Sequence, residues 1–277
     1  AWYNGYDGLK AGLHFSGSYM GRYHKFDLTT WFNTGLLQSG LDTAAPVNGF
    51  DNVSLRVNYS TPLEAFGKNS NFSAGVRFLD GMEFYQAEID KANRSRSNRF
   101  YARFRSMIRK DTTDMFYLLN KEWNRNKLNN TITLGLEHPY SYSFGRGNID
   151  LSLRSTTLMS DYDYAYANLE VINQNNIGKK LKFNTRFIAR YGTGKNMAPE
   201  SALFLAGASP EEMMDNKFTR SIGFFPTDWA GYGKDLNHFH HGGGLNLRGY
   251  SGYLAPEETA NGGIRFAYKG VSGAAFN

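Results

Sequence analysis

Seven basic residues crowd one stretch of the chain: Arg94, Arg96, Arg99, Arg103, Arg105, Arg109 and Lys110, with Phe100, Tyr101 and Phe104 between them. Arginines interleaved with rings could grip a nucleic-acid backbone and stack on its bases. Parity points elsewhere. Arg99, Arg103, Arg105 and Arg109 are odd and Phe100, Ala102, Phe104 and Ile108 even. A strand therefore sorts the arginines to one face and the apolar residues to the other, so a polar lining is expected and no nucleic-acid partner. His238, His240 and His241 could suggest a metal, but their neighbours are Phe239 and glycines, without Asp, Glu or Cys at ligand spacing. No metal and no cofactor is expected. His138 precedes Pro139 and reads as a turn. There is no cysteine, no Gly-x-Ser-x-Gly elbow and no Ser/His/Asp grouping, and the adjacent Glu257 and Glu258 point apart. The expectation is a chain without a catalytic site. The glycine run Gly242, Gly243 and Gly244 lacks the Lys-Ser/Thr of a phosphate loop. It does lead into Arg248, Gly249 and Tyr250, an arginine set between a leucine and a glycine inside an irregular stretch.

The elements that must carry these residues are strands. In 9–20, Leu9, Ala11, Leu13, Phe15, Gly17 and Tyr19 share one face and Lys10, Gly12, His14, Ser16 and Ser18 the other. The same alternation predicts strands over 25–37, 52–61, 71–88, 99–110, 114–123, 130–138, 148–158, 163–173 and 180–192, and over 262–270 after a long loop at 195–260. Within that loop Ser209-Pro210-Glu211-Glu212 reads as a capping box opening a helix of at most two turns. Connections such as Gly67-Lys68-Asn69 and Asn175-Asn176-Ile177-Gly178-Lys179 read as hairpins, so the meander is antiparallel.

Of the 277 residues 16% are aromatic, glycine is abundant at 30, and proline is scarce at 7. No apolar run approaches the roughly 18 residues of a membrane helix, but a membrane strand shows lipid only every second side chain. Many of the segments match or exceed the ~9–11 residues that cross a bilayer at a tilt. The fold expected is all-β: a transmembrane antiparallel up-and-down β-barrel in the bacterial outer membrane, in contact with its lipid and lipopolysaccharide. A soluble β-sandwich or β-solenoid, with strands of about 5–6 residues, is the lesser alternative. A lipid-facing arginine costs roughly 2–4 kcal/mol at mid-membrane. Parity thus assigns Arg56, Arg103, Arg105, Arg154 and Arg186 to the lumen, and Leu13, Phe15, Phe32, Val57, Phe104, Leu134, Leu151 and Phe183 to lipid. The loop at 195–260, rich in Phe, Tyr, Trp and Gly, is expected to fold partly into the barrel.

With a barrel expected on these grounds, Arg248-Gly249-Tyr250 resembles the Arg-Gly-Phe/Tyr triplet of the sixth extracellular loop of the Omp85 superfamily, and Asn261-Gly262-Gly263 the glycine pair that opens that family's following strand. The resemblance implies a sixteen-stranded barrel whose sixth loop joins strands eleven and twelve. It implies insertion or translocation of proteins or other macromolecules across the outer membrane, with protein clients or accessory outer-membrane proteins as partners. In that family the loop arginine pairs inside the barrel with a carboxylate on a later strand. About ten strands are read before the loop: either strand one precedes residue 1, or two strands have been merged. The first case makes residues 1–277 a single-domain fragment holding strands two to twelve. Trp2–Lys10 and Ala208–Lys217 are similar to barrels of Bacteroidota, some of them fused behind a domain related to M1-type zinc metallopeptidases. The alternatives are thus a barrel anchoring such a peptidase, or a passive porin.

Overall fold

A computed structural model describes residues 1–4, 7–37, 52–93, 95, 98–110, 123–178, 180–205, 207–214, 242–247 and 252–269. Alternating segments joined by short turns pair with their sequence neighbours, and eleven of them form one antiparallel sheet in chain order. The strands are β1 (Trp2–Asn4), β2 (Gly8–Tyr19), β3 (Tyr23–Asn33), β4 (Val53–Pro62), β5 (Ser70–Leu79) and β6 (Met82–Ala92). They continue as β7 (Arg99–Arg109), β8 (Leu128–Tyr142), β9 (Gly145–Thr156), β10 (Asp163–Ile177) and β11 (Leu181–Asn196). A second sheet holds β12 (Leu203–Phe204), β13 (Tyr253–Glu258) and β14 (Ile264–Lys269). Its hairpin reaches the β11 edge, where Phe266 meets Tyr191 edge-on at 5.8 Å between ring centres.

The large sheet is open, with β1 and β11 at its edges, so the described strands do not make the closed barrel expected from the sequence. The reason is directional. In a meander of eleven strands the first and last run the same way, and antiparallel closure needs an even number.

Two further expectations change. The segment read as one strand over 71–88 is two, β5 and β6, because Asp80 and Gly81 both take positive φ (52° and 72°), the geometry of a two-residue hairpin. His138 and Pro139 lie inside β8 rather than in a turn. β7 ends opposite Glu137, so β8 outruns it and the proline has no ladder on that side to supply with a donor. The segment 114–123 lies outside the described residues except for Trp123.

Register divides the sheet into two unlike faces. On one, Phe15, Leu28, Val57 and Val76 stand in a single cross-strand row, Phe104 faces Ile132, and Leu134 faces Leu153. Leu13, Phe15, Phe32, Leu134 and Phe183 on this face are each more than half exposed. On the other face Lys10, Arg77, Glu88, Arg109, Thr131, Thr133, Arg154 and Asn168 are buried. Lys10 alone is held by Asp7, by Asp80 at 3.1 Å and by Ser54 at 3.3 Å, a charged knot tying β2 to β4 and to the β5–β6 turn. The sheet buries the face that carries its charges, together with Leu79, Met82, Phe84, Tyr101, Met107 and Tyr164, and leaves the apolar face exposed.

Glycines opposite rings fill the gaps between strands. Trp31 covers Gly12, Tyr101 covers Gly135 and Tyr140 covers Gly147. A Cβ on Gly135 would stand 2.1 Å from the Tyr101 ring. Gly135→Val is expected to displace that ring and destabilise the sheet by about 1–3 kcal/mol. A lowered midpoint of urea unfolding measures the loss, and Tyr101→Ala should recover part of it.

Candidate functional site

The polar face is crowded with arginines, and each needs a partner once water is excluded. Most are satisfied by neighbours in the sheet or in the connection between β7 and β8. Arg103 on β7 pairs with Glu88 across the β6 ladder, and Arg99 with Glu88 and with Glu137 at 2.7 Å. Arg186 on β11 pairs with Glu170 at 2.5 Å. Arg190 lies over the Tyr166 ring at 4.2 Å, and Arg109 over Trp123 at 4.8 Å. Arg56 stands directly between Thr29 and Arg77 in the register, on the same face.

Arg105 and Arg154 have no acid across from them. The cross-strand neighbours of Arg105 are Gln86 and Thr131, and those of Arg154 are Thr133 and Tyr166. Their carboxylate comes from outside the sheet. Glu211, from the segment that follows β11, pairs with Arg105 at 2.5 Å and with Arg154 at 2.9 Å, and the Ser201 hydroxyl donates to it at 2.6 Å. Glu211 and Arg154 are almost wholly buried.

The local sequence explains how Glu211 is aimed. It sits in α1 (Pro210–Met213), whose N-cap Ser209 accepts from the Glu212 amide while the Glu212 carboxylate accepts from the Ser209 amide at 2.7 Å. Pro210 takes the first helical position. This is the capping box read from the sequence, reduced to a single turn. The residue after the helix, Met214, is buried with Met82, Phe84, Met107 and Trp123, so charge and apolar packing hold the same turn.

The preceding residues are held as closely. Asn129 on β8 donates to Glu200 at 2.8 Å and to Ser201 at 3.0 Å, and accepts from the Tyr164 hydroxyl at 3.0 Å. The glycine run closes the assembly. Arg186 donates to the Gly244 carbonyl at 2.7 Å, and the Gly244 amide donates to Glu212 at 3.4 Å. Gly244 has φ 49°, and a Cβ there would lie 2.2 Å from the Gly207 carbonyl oxygen; one on Gly243 would lie 2.8 Å from Ala208. Only glycines allow that backbone approach. Gly242, next to them, has open space around its α-carbon.

Of the residues singled out from sequence, Arg105, Arg154 and Arg186 thus meet the segment after β11, with Gly243 and Gly244 beside it. Arg103 and Arg56 share the face without touching the segment. Arg248, Gly249 and Tyr250, like His238, His240 and His241, lie outside the described residues. The central group, Glu211, was missed. Its capping box was legible, but nothing in the spacing links it to an arginine more than a hundred residues away. Among the described residues no cluster of His, Asp and Glu could hold a metal ion. No protein-family model matches the chain, and no curated protein matches it significantly.

The two acids of the segment answer pH in opposite ways. Burial disfavours charge on Glu211, but Arg154 and Arg105 outweigh it and hold the carboxyl at about 2, below its ordinary 4.5. Its contribution to docking is complete above about pH 4.5 and is lost as pH falls through about 2. Burial pushes Glu200 up to about 7, with Asn129 and Arg154 opposing and Glu211 reinforcing the rise. A buried acid raised in this way weakens docking progressively as pH rises from about 4.5 to about 7, with no further change above. Limited proteolysis of residues 198–214 should therefore be slower at pH 5 than at pH 8, and Glu200→Gln should abolish the difference. Glu211→Ala, which leaves two arginines facing each other, should loosen the segment at both pH values, by on the order of 3 kcal/mol.

Proposed function

We propose that this chain supplies the wall of an outer-membrane β-barrel of the Omp85 type, which inserts or translocates proteins, and that the segment after β11 is its internal gate. The observation that carries the reading is the inverted polarity of the large sheet. Exposed Leu and Phe cover one face, buried arginines and acids cover the other, and a chain segment is pinned to the polar side through Glu211. Lipid satisfies the first face; the second faces the barrel interior, where its own ion pairs and the docked segment cover it.

The connections give the wall an orientation. At one end they are short: 20–22, 63–69, 93–98, 143–144 and 178–180. At the other lie the short connections 5–7, 80–81 and 157–162, but also 34–52, 110–127 and the long stretch after β11. Barrels of this kind keep short turns at the periplasm and long loops outside, so the docked segment enters from the outer surface. Among the described residues eleven strands precede it, the number that the resemblance expects before the sixth loop; β14, paired with β13 in the small sheet, would be strand twelve of such a wall. In this arrangement the loop brings a carboxylate to arginines on the wall. A passive pore would need no such latch. The short-turn end of the polar face keeps a basin lined by Lys25, Glu64, Asp90, Arg99 and Glu137, a polar antechamber for a client arriving from the periplasm.

The membrane part is tested with single cysteines, which a chain without native cysteine accepts cleanly. A fluorophore at Leu134 or Phe183 should be quenched by spin-labelled phospholipid in vesicles, and one at Thr133 or Ser152 should not. Equal quenching at all four sites removes the reading. The gating part is tested in planar bilayers and in a client-folding assay. The native chain should conduct little and accelerate insertion of an unfolded β-barrel client, and Glu211→Gln should lengthen open times at least tenfold. A steady conductance indifferent to residue 211, with no effect on the client, would leave a porin.

A further inference from the structure

Charge is placed unevenly along the strands. The five short connections that share one end, each taken with the four residues on either side, hold eleven of the 31 Lys and Arg but two of the 25 Asp and Glu. Everything else holds 20 and 23. The net charge of +6 therefore belongs to the short-turn end, and the rest of the chain is slightly acidic.

The acids near that end are already engaged. Glu64 accepts from the Tyr23 hydroxyl at 2.7 Å, Asp90 accepts from Asn71 at 3.2 Å, and Glu137 pairs with Arg99 at 2.7 Å. The cations are left over. Arg22 and Lys25 at the β2–β3 hairpin, Lys68 at β4–β5, Arg146 at β8–β9, and Lys180 and Lys182 at β10–β11 are exposed, and among the described residues none of the six makes an ion pair. Register fixes their side. Lys25 shares a face of β3 with Asp27 and Thr29, Arg146 one of β9 with Asp150 and Arg154, and Lys182 one of β11 with Arg186 and Arg190. That is the polar face. At this end it holds a basin of about 1360 Å³, reaching from Lys25 across Ser60, Asn71 and Arg99 to Asn148.

The arrangement selects among anions. A single phosphate needs two or three donors converging on one point, but these cations are spread one or two to a hairpin. An anionic membrane surface would need them on the apolar face. A single-stranded nucleic acid would need exposed rings beside them to stack on, and Tyr59, Phe72, Tyr140 and Tyr142 at this end share the apolar face with Val57, Val76 and Leu134. An extended acidic polypeptide meets none of these objections. From β3 to β9 the basin crosses six ladder spacings, roughly 29 Å at about 4.8 Å each, the reach of about nine extended residues.

We propose that the short-turn mouth of the polar face binds an extended, acidic polypeptide segment, held chiefly by Lys25, Lys68, Arg146 and Lys182. The inference rests on the reading of the polar face as a barrel interior entered from the periplasm, and it gives the client or accessory protein met there a chemistry. Charge distributed in this way speeds encounter with such a segment and loses its hold as salt rises.

The probe is a fluorescent twelve-residue peptide of alternating Glu and Ser, added to the full chain in phosphatidylcholine nanodiscs, with binding read by anisotropy. It should bind at least tenfold more tightly than the matched Gln-Ser and Lys-Ser peptides, and at least tenfold more weakly in 300 mM than in 50 mM salt. Lys25→Glu with Lys68→Glu, and Arg146→Glu with Lys182→Glu, should each weaken binding at least fivefold. Lys127→Glu, the same change at an exposed position of the opposite end, should leave it unchanged. A benzophenone in the peptide should label Ser60, Asn71 and Asn148, and not Val57 or Val76. Equal binding of the three peptides, or binding indifferent to the four reversals, overturns the inference and leaves the membrane reading standing. Tighter binding of an oligothymidylate of equal charge overturns the assignment to a polypeptide. Labelling of Val57 and Val76 as strong as that of Ser60 would put a water-soluble peptide on the face assigned to lipid, and overturns both.

Discussion

A guanidinium taken out of water costs several kcal/mol unless an acid or a well-placed ring faces it, and the polar face of the large sheet sets Arg77, Arg103, Arg105, Arg109, Arg154 and Arg190 close together. The ladder, with Trp123 from the connection between β7 and β8, solves most of this. Glu88 serves Arg99 and Arg103, Glu170 serves Arg186, and Phe84, Trp123 and Tyr166 lie beneath the charges of Arg77, Arg109 and Arg190. At Arg105 and Arg154 the ladder offers only Gln86, Thr131, Thr133 and Tyr166. The acid that Arg105 and Arg154 lack in the sheet is what the segment after β11 supplies.

The element that delivers the acid has little stability of its own. α1 is a single turn, and isolated helices of that length do not persist in water. It exists because Ser209 and Glu212 cap it, Met214 is buried beside Met82 and Met107, and Glu211 reaches the two arginines. Shape and charge are therefore coupled: a change that removes the pairing also removes the reason for the turn. That is the behaviour expected of a latch, since docked and released states differ by a few local contacts rather than by refolding of the sheet. Glu200, buried beside it with one carboxylate oxygen lacking a hydrogen-bond partner, adds a proton-dependent bias to the same equilibrium.

The apolar face has the complementary problem. Leu13, Phe15, Phe32, Leu134 and Phe183 have no protein partner that buries them, and a stripe of this extent across many strands would aggregate in water. In hydrocarbon it costs nothing, while the polar face is shielded by the docked segment and by its own ion pairs. On the membrane reading proposed above, one sheet with two such faces separates two solvents.

The sequence by itself determined the strands and their sidedness. A period of two is a local property of the backbone, and the residue types at odd and even positions around Arg103 or Phe183 sort to opposite faces whatever the sheet becomes. It also determined the capping box at Ser209, because a cap needs only residues three apart. Boundaries were weaker: β5 and β6 were read as one strand because apolar residues continue through the Asp80-Gly81 turn, and Pro139 suggested a turn because its tolerance depends on where β7 ends. Only the tertiary structure decided which acid meets which arginine. Glu211 and Arg105 lie far apart in the chain, and their meeting depends on how far the segment after β11 folds back and on which rows of the ladder lack a carboxylate. Those are properties of register across several strands. No spacing within one segment encodes them.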